Sequence, residues 1–179
     1  MARKRNKLLI VDGYNVLRSG QRYIHMRREA DYTHSKFNMV RDALISDVVA
    51  FAGTEYKAII VFDAAENPES AGKTEHIGGV RVTFSPYGSS ADKVIEKLAH
   101  DARENRMEVM VVTSDATIQD TVFGGGVDRM SANGFSFEMD DLGEEAARDT
   151  TVKTTRKATV ADRIAPDVLE KLKAMRDGK

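Results

Sequence analysis

Residues 8–15 read Leu-Leu-Ile-Val-Asp-Gly-Tyr-Asn, an unbroken apolar run that ends in a carboxylate. A half-exposed strand alternates apolar and polar side chains. This run does not, so it is predicted to be a strand buried on both faces, inside a sheet covered by helices. Asp12 then stands where the strand leaves the sheet. Gly13 lets the backbone turn, and Asn15 offers a short amide two residues further on. In open α/β sheets, ligands bind outside the carboxyl ends of the strands. An acid placed there has either a function or local backbone donors that satisfy it.

The same pattern recurs. Ala58-Ile59-Ile60-Val61-Phe62 runs into Asp63, and Val109-Met110-Val111-Val112 runs into Thr113-Ser114-Asp115. Between these strands, Phe37, Val40, Leu44, Val48 and Phe51 fall at helical steps, predicting an amphipathic helix over 36–52 with Arg41, Asp42 and Asp47 on its wet side and Gly53 as its stop. Ala91, Val94, Ile95, Leu98 and Ala102 trace a second helix over 91–104. Residues 16–35 read as irregular or briefly helical, and 64–78 as a loop. Val80, Val82 and Phe84 alternate with Arg81 and Thr83, as in a less buried strand. A helix to Phe123 ending in the glycines 124–126, a short strand over 127–130, and a helical piece from Ser131 or Asn133 to about Ala147 complete the body. Buried strands separated by helix-length segments imply βαβ units and a three-layer α/β sandwich around a mainly parallel sheet. Residues 1–148 are expected to form this domain. Residues 149–179 are expected to form an extended, Thr- and Lys-rich linker over 149–160 and a C-terminal helix with Pro166 in its first turn.

Composition narrows the partners. The chain has no cysteine, which excludes disulfides and thiolate metal sites and agrees with a reducing, cytoplasmic setting. No segment has the length of a membrane span, and the basic Ala2–Lys7 stretch precedes too short an apolar run for a signal peptide. With a formal net charge of −1, a polyanion partner requires a local basic patch. Arg18, Arg22, Arg27, Arg28, Lys36 and Arg41 follow the first acid, with Tyr23 and Tyr32 among them. That mixture suits a single nucleic-acid strand held by charge and stacking, or else a solvated basic loop. Arg3-Lys4-Arg5 and Lys153, Arg156 and Lys157 are either contacts to structured RNA or soluble termini.

Asp12, Asp63 and Asp115 end strands, and Asp92 opens a helix just after a strand and turn. In a parallel sheet these positions share one edge, where clustered carboxylates repel unless protonated or neutralised by a cation. Hard cations such as Mg²⁺ take carboxylate and water oxygens, and metal-assisted phosphodiester hydrolysis needs such a cluster. Asn15 can orient a water or a phosphate oxygen. Each residue also has a structural reading: Asx turns for Asp12 and Asn15, a capping box from Ser89 to Asp92, an N-cap for Asp115, a loop brace for Asp63.

Asp12-Gly13-Tyr14-Asn15, Val61-Phe62-Asp63-Ala64, Ser90-Ala91-Asp92 with Ile95-Glu96-Lys97-Leu98, and Val112-Thr113-Ser114-Asp115 occur in that order. In this the chain resembles the NYN domain of the PIN-like nuclease superfamily, and within it the bacterial YacP, or Rae1-type, endoribonucleases. The resemblance covers about residues 7–148, and Ala161-Asp162-Arg163 to Leu172 resembles the end of the same group. It implies a PIN-like fold and an Mg²⁺- or Mn²⁺-dependent endoribonuclease that cuts mRNA in the context of the ribosome. By that analogy Asp12, Asp92 and Asp115 are the metal-binding acids, Asn15 supports them, and Asp63 is auxiliary. Two positions depart from the pattern. Lys93 stands where many relatives have a second acid, and is expected to contact phosphate instead. Gln119 stands where some broader relatives have a further acid. The competing expectation is an RNA- or ribosome-binding module with a degenerate nuclease site. Gly72-Lys73-Thr74 lacks the earlier glycine of a phosphate-binding loop, and the four histidines have no metal-like spacing.

Overall fold

A computed structural model describes residues 6–28, 34–65, 68–122 and 126–156. The elements are β1 (Lys7–Asp12), α1 (Gly13–Ser19), α2 (Gln21–Arg28), α3 (His34–Ala52), β2 (Tyr56–Phe62), β3 (Thr74–Ile77), β4 (Val80–Phe84), α4 (Ala91–Glu104), β5 (Glu108–Val112), α5 (Ala116–Val122), β6 (Val127–Met130) and α6 (Ala132–Arg156), with a single 3₁₀ turn at Pro68–Ser70. They build the expected α/β sandwich on a six-stranded sheet of order β3-β4-β2-β1-β5-β6. Every neighbouring pair is parallel except β3 with β4.

Alternation along β1 sorts the core into two layers. Leu9 and Val11 point to the face covered by α1, α2, α3 and the start of α6, where they meet Val16, Leu17, Tyr23, Leu44, Val48 and Phe135. Leu8 and Ile10 point to the opposite face, where α4 and α5 supply Ile95, Ala99 and Ile118. Full burial of each such Leu, Ile or Val contributes about 1.5–3 kcal/mol, so both layers press the central strands into one sheet. Gly13 owes its place to crowding: a Cβ there would overlap the ring of Phe62, which leaves no room for a side chain where β1 passes into α1.

Two expectations are corrected and a third is decided between its alternatives. Residues 74–77, expected in a loop, form the edge strand β3, which pairs antiparallel with β4 through the two-residue turn Gly78-Gly79. Both glycines have positive φ, 57° and 85°, as tight hairpin turns require. Residues 16–28, read as irregular or briefly helical, are helical on either side of Gly20. Residues 149–156, expected as extended linker, continue α6. The chain divides into two compact units, Met1–Asp140 and Asp141–Lys179, with the boundary inside this helix. In the second unit, positions 141–150 are exposed and Arg148 pairs with Glu144 at 2.9 Å, a helical spacing of four. The C-terminal helix at Pro166, the Ala161–Leu172 resemblance, Arg3-Lys4-Arg5, Lys157, Tyr32 and the Gly124-Gly125 helix stop lie outside the described residues.

Candidate active site

β1, β2 and β5 are parallel, so Asp12, Asp63 and Asp115 emerge on the same rim of the sheet. Asp12 is 6% exposed. It stands at the N-cap of α1 without a well-formed capping hydrogen bond, although the Asn15 main-chain N–H in the first turn is near enough to act on its carboxylate. Its Oδ2 accepts a hydrogen bond from Thr113 Oγ1 at 3.0 Å. Burial raises its pKa to about 6; the Thr113 hydroxyl and the Asn15 main-chain N–H oppose the rise, while the charges of Asp92 and Asp115 add to it.

Asp92 lies in the first turn of α4. The cap of that helix is Ser90, whose hydroxyl accepts from the Lys93 N–H, so the expected capping box from Ser89 to Asp92 does not form. Partial burial raises the Asp92 pKa, reinforced by the charges of Asp115, Asp63 and Glu96. The acids of the rim thus act on one another electrostatically. Among the described residues, however, no group of three carboxylates or imidazoles converges tightly enough to hold one ion. The expected enclosure of one cation by Asp12, Asp92 and Asp115 together is absent from this arrangement.

The remaining acids have local duties. Asp63 accepts from Ala65 N–H at 2.8 Å and from Ala91 N–H at 3.2 Å, tying the end of β2 to the start of α4. Asp115 accepts from Thr117 N–H at 2.8 Å, an N-terminal brace for α5. Asn15 Oδ1 accepts from Ser114 N–H at 2.8 Å, which joins the loops after β1 and β5. Its amide carbonyl is therefore engaged with the protein. Gln119 is a brace as well, donating to the Thr113 carbonyl at 3.1 Å and accepting from Arg129 at 2.6 Å.

Thr113 carries the rim together and was given no role on sequence grounds. Buried at 1% exposure, its hydroxyl donates to Asp12 and accepts from the Asp115 N–H at 3.1 Å. Its position between a buried strand and the third acid was the available signal.

Of the expected RNA-binding cations, Arg22 is reassigned. Its guanidinium grips Asp47 through Nε at 2.9 Å and Nη2 at 3.3 Å, and Asp140 through Nη1 at 2.7 Å. These partners raise its pKa further, mainly the Asp47 hydrogen bond. Tyr23, expected as a stacking surface, is fully buried and donates to Asp47 at 2.8 Å. Asp47 is accordingly a half-buried hub and not a wet-face residue. Arg41 is partly buried, with Nε shielded and unpaired and Nη2 3.7 Å from Asp42. Arg27 reaches the Arg18 carbonyl at 3.4 Å, Arg18 lies over the Tyr14 ring, and Arg18, Arg28 and Lys93 are exposed. Lys36 falls in α3, with its side chain outside the described residues.

A mostly parallel sheet with interacting acids on its carboxyl rim is the architecture of a PIN-like NYN domain. The chain belongs to the YacP-like NYN domain family, whose model matches residues 9–177. It is 28% identical over 172 residues to the uncharacterized protein YacP of Bacillus subtilis (strain 168), covering 96% of this chain and 97% of that protein. It is also similar to the crystal structure of Rae1 (YacP) from Bacillus subtilis, with a TM-score of 0.66, 29% identity and coverage of 96% of this chain and 95% of that one. The crystal structure of a tryptophan-to-leucine mutant of the same Bacillus subtilis protein gives a TM-score of 0.67 over 86% of each chain at 28% identity. The family assigns the chain to a nuclease-type, RNA-related class. Among the described residues no helix is long and apolar enough to cross a membrane.

Proposed function

We propose that the protein is a divalent-metal-dependent endoribonuclease that hydrolyses mRNA in association with the translating ribosome. The observation that carries this reading is Asp12. A carboxylate buried at a strand end, whose proton affinity burial raises and two neighbouring acids raise further despite the Thr113 hydroxyl and the Asn15 N–H, is expensive for the fold unless a cation is meant to join it. Mg²⁺ keeps several waters and takes only one or two carboxylates together with substrate phosphate, so Asp12 with Asp92 or Asp115 suffices as a donor set. Such a metal, when bound, activates water and offsets charge developing on the phosphate. Asp12 is the principal ligand, and Asp92 and Asp115 complete the negative rim. Thr113 orients the Asp12 carboxylate, Asn15 positions the Ser114 loop, and exposed Lys93 meets a phosphate oxygen of the strand.

A second reading, an RNA- or ribosome-binding module without hydrolysis, draws on Lys93 at the position of a second acid and on the lack of a three-carboxylate group among the described residues. One experiment separates the two. Translated mRNA is incubated with wild type and with Asp12→Asn, with and without Mg²⁺ or Mn²⁺. The nuclease reading expects metal-stimulated cleavage by wild type alone. Full activity in excess EDTA, full cleavage by Asp12→Asn, or no cleavage by wild type under any of these conditions overturns it, and retention of labelled mRNA or ribosomes by the non-cleaving protein then marks the binding module.

A further inference from the structure

α4 covers β1, β2 and β5 but stops short of the β3–β4 hairpin, and a groove of about 570 Å³ opens between them. Arg81 and Thr83 of β4 line it from one side, and Lys93, Lys97 and Asp101 of α4 from the other, with Ser89 at the end next to Asp92. Its charge is three cations against one carboxylate, in a chain whose net charge is −1. Arg81 Nε is shielded from solvent and meets no acceptor, an unusual state for a group whose donors are almost always satisfied. Among the described residues, none of Arg81, Lys93 and Lys97 enters an ion pair. Unpaired cations facing one another across a groove call for an anionic ligand.

We infer that this groove is the track along which single-stranded RNA leaves the acid rim, with Lys93, Lys97 and Arg81 holding successive backbone phosphates. Lys93 and Lys97 are one helical turn apart, about 6 Å along α4, and lead away from Asp92. Phosphate contacts fix register and carry no sequence preference, so the track holds RNA of any sequence. The inference rests on the nuclease reading for its direction. Its ligand, a single RNA strand, does not depend on hydrolysis.

The test is binding of a fluorescein-labelled, mixed-sequence, single-stranded RNA oligonucleotide to the full chain in EDTA, followed by anisotropy over a range of salt. Lys93→Glu/Lys97→Glu changes two exposed side chains and is expected to weaken binding at least tenfold and to flatten the salt slope by about 1.4, roughly 0.7 per lost phosphate contact. Arg81→Gln is expected to flatten it by about 0.7. Arg106→Glu, exposed in the turn between α4 and β5 and three strands away from β4, is the control and keeps wild-type affinity. Unchanged affinity and slope in the groove variants, an equal loss in Arg106→Glu, or no binding by wild type overturns the inference. Groove variants that keep affinity while wild type cleaves with metal sink the track and leave the nuclease. Groove variants that lose affinity when wild type never cleaves leave the track and sink the nuclease.

Discussion

At the scale of single residues, the sign of the Asp12 shift makes a prediction that needs no substrate. Its carboxyl titrates near 6 when folded and near the ordinary 3.8 when unfolded. Between those values the folded chain binds more protons than the unfolded one, so stability from this site is full below about pH 4 and is lost as pH rises through 6. The cost above pH 6 is on the order of 3 kcal/mol. Asp12→Asn in EDTA is therefore expected to raise Tm by roughly 6–12 °C at pH 7.5 and to leave it unchanged at pH 4. No gain at pH 7.5, measured by calorimetry, contradicts the buried charge. Thr113→Val tests the group that holds Asp12. It removes the donor to Asp12 and the acceptor for Asp115 N–H, so a loss of about 1–3 kcal/mol in urea unfolding is expected. The Asp12 pKa, followed by NMR, moves further up. Asp12 was legible in the sequence because a charge after four apolar residues is costly. Thr113 was not, because a threonine ending a strand is ordinary until its two partners are seen.

Among elements, burial decides what can be read. β1, β2, β5 and α4 announce themselves because their apolar periodicity is dictated by the two core layers. β3 is exposed along its whole length and carries Glu75 and His76, so it has no apolar signature; only the Gly78-Gly79 pair marked its hairpin. The end of α6 is Thr- and Lys-rich and exposed through position 150, which composition alone cannot distinguish from a linker. The basic stretch in α2 misleads for a tertiary reason, since Asp47 and Asp140, which hold Arg22, are distant in sequence. Arg22→Ala is accordingly expected to lower stability by about 1–3 kcal/mol while leaving the salt slope of RNA binding unchanged. A flatter slope returns Arg22 to the RNA interface. The passage from β1 to α1 is tighter still. Gly13→Ala is expected to cost about 1–3 kcal/mol by overpacking against Phe62, with part of the loss recovered in Gly13→Ala/Phe62→Leu. Additive losses in that double-mutant cycle assign the cost to something other than the ring.

Across the whole molecule, negative charge is concentrated rather than abundant. The chain is nearly neutral, yet the carboxyl rim of its sheet gathers Asp12, Asp63, Asp92 and Asp115, and burial, reinforced by mutual repulsion, raises the pKa of Asp12 and Asp92. A cation that binds the folded rim and not the unfolded chain stabilises by mass action, by about 2.7 kcal/mol at a hundredfold excess over its Kd. Adding Mg²⁺ or Mn²⁺ at pH 7.5 is thus expected to raise Tm in a saturable way. The gain shrinks at pH 5, where Asp12 holds its proton and a cation must displace it. In Asp12→Asn the titration is flat at both pH values, although that variant starts from the higher Tm. The two effects have opposite signs at the same residue, so nonspecific ionic strength cannot produce both. A wild-type Tm that ignores divalent metal at pH 7.5, with Asp12→Asn still more stable, leaves a strained acid with no cation to relieve it and shifts the protein toward the binding module.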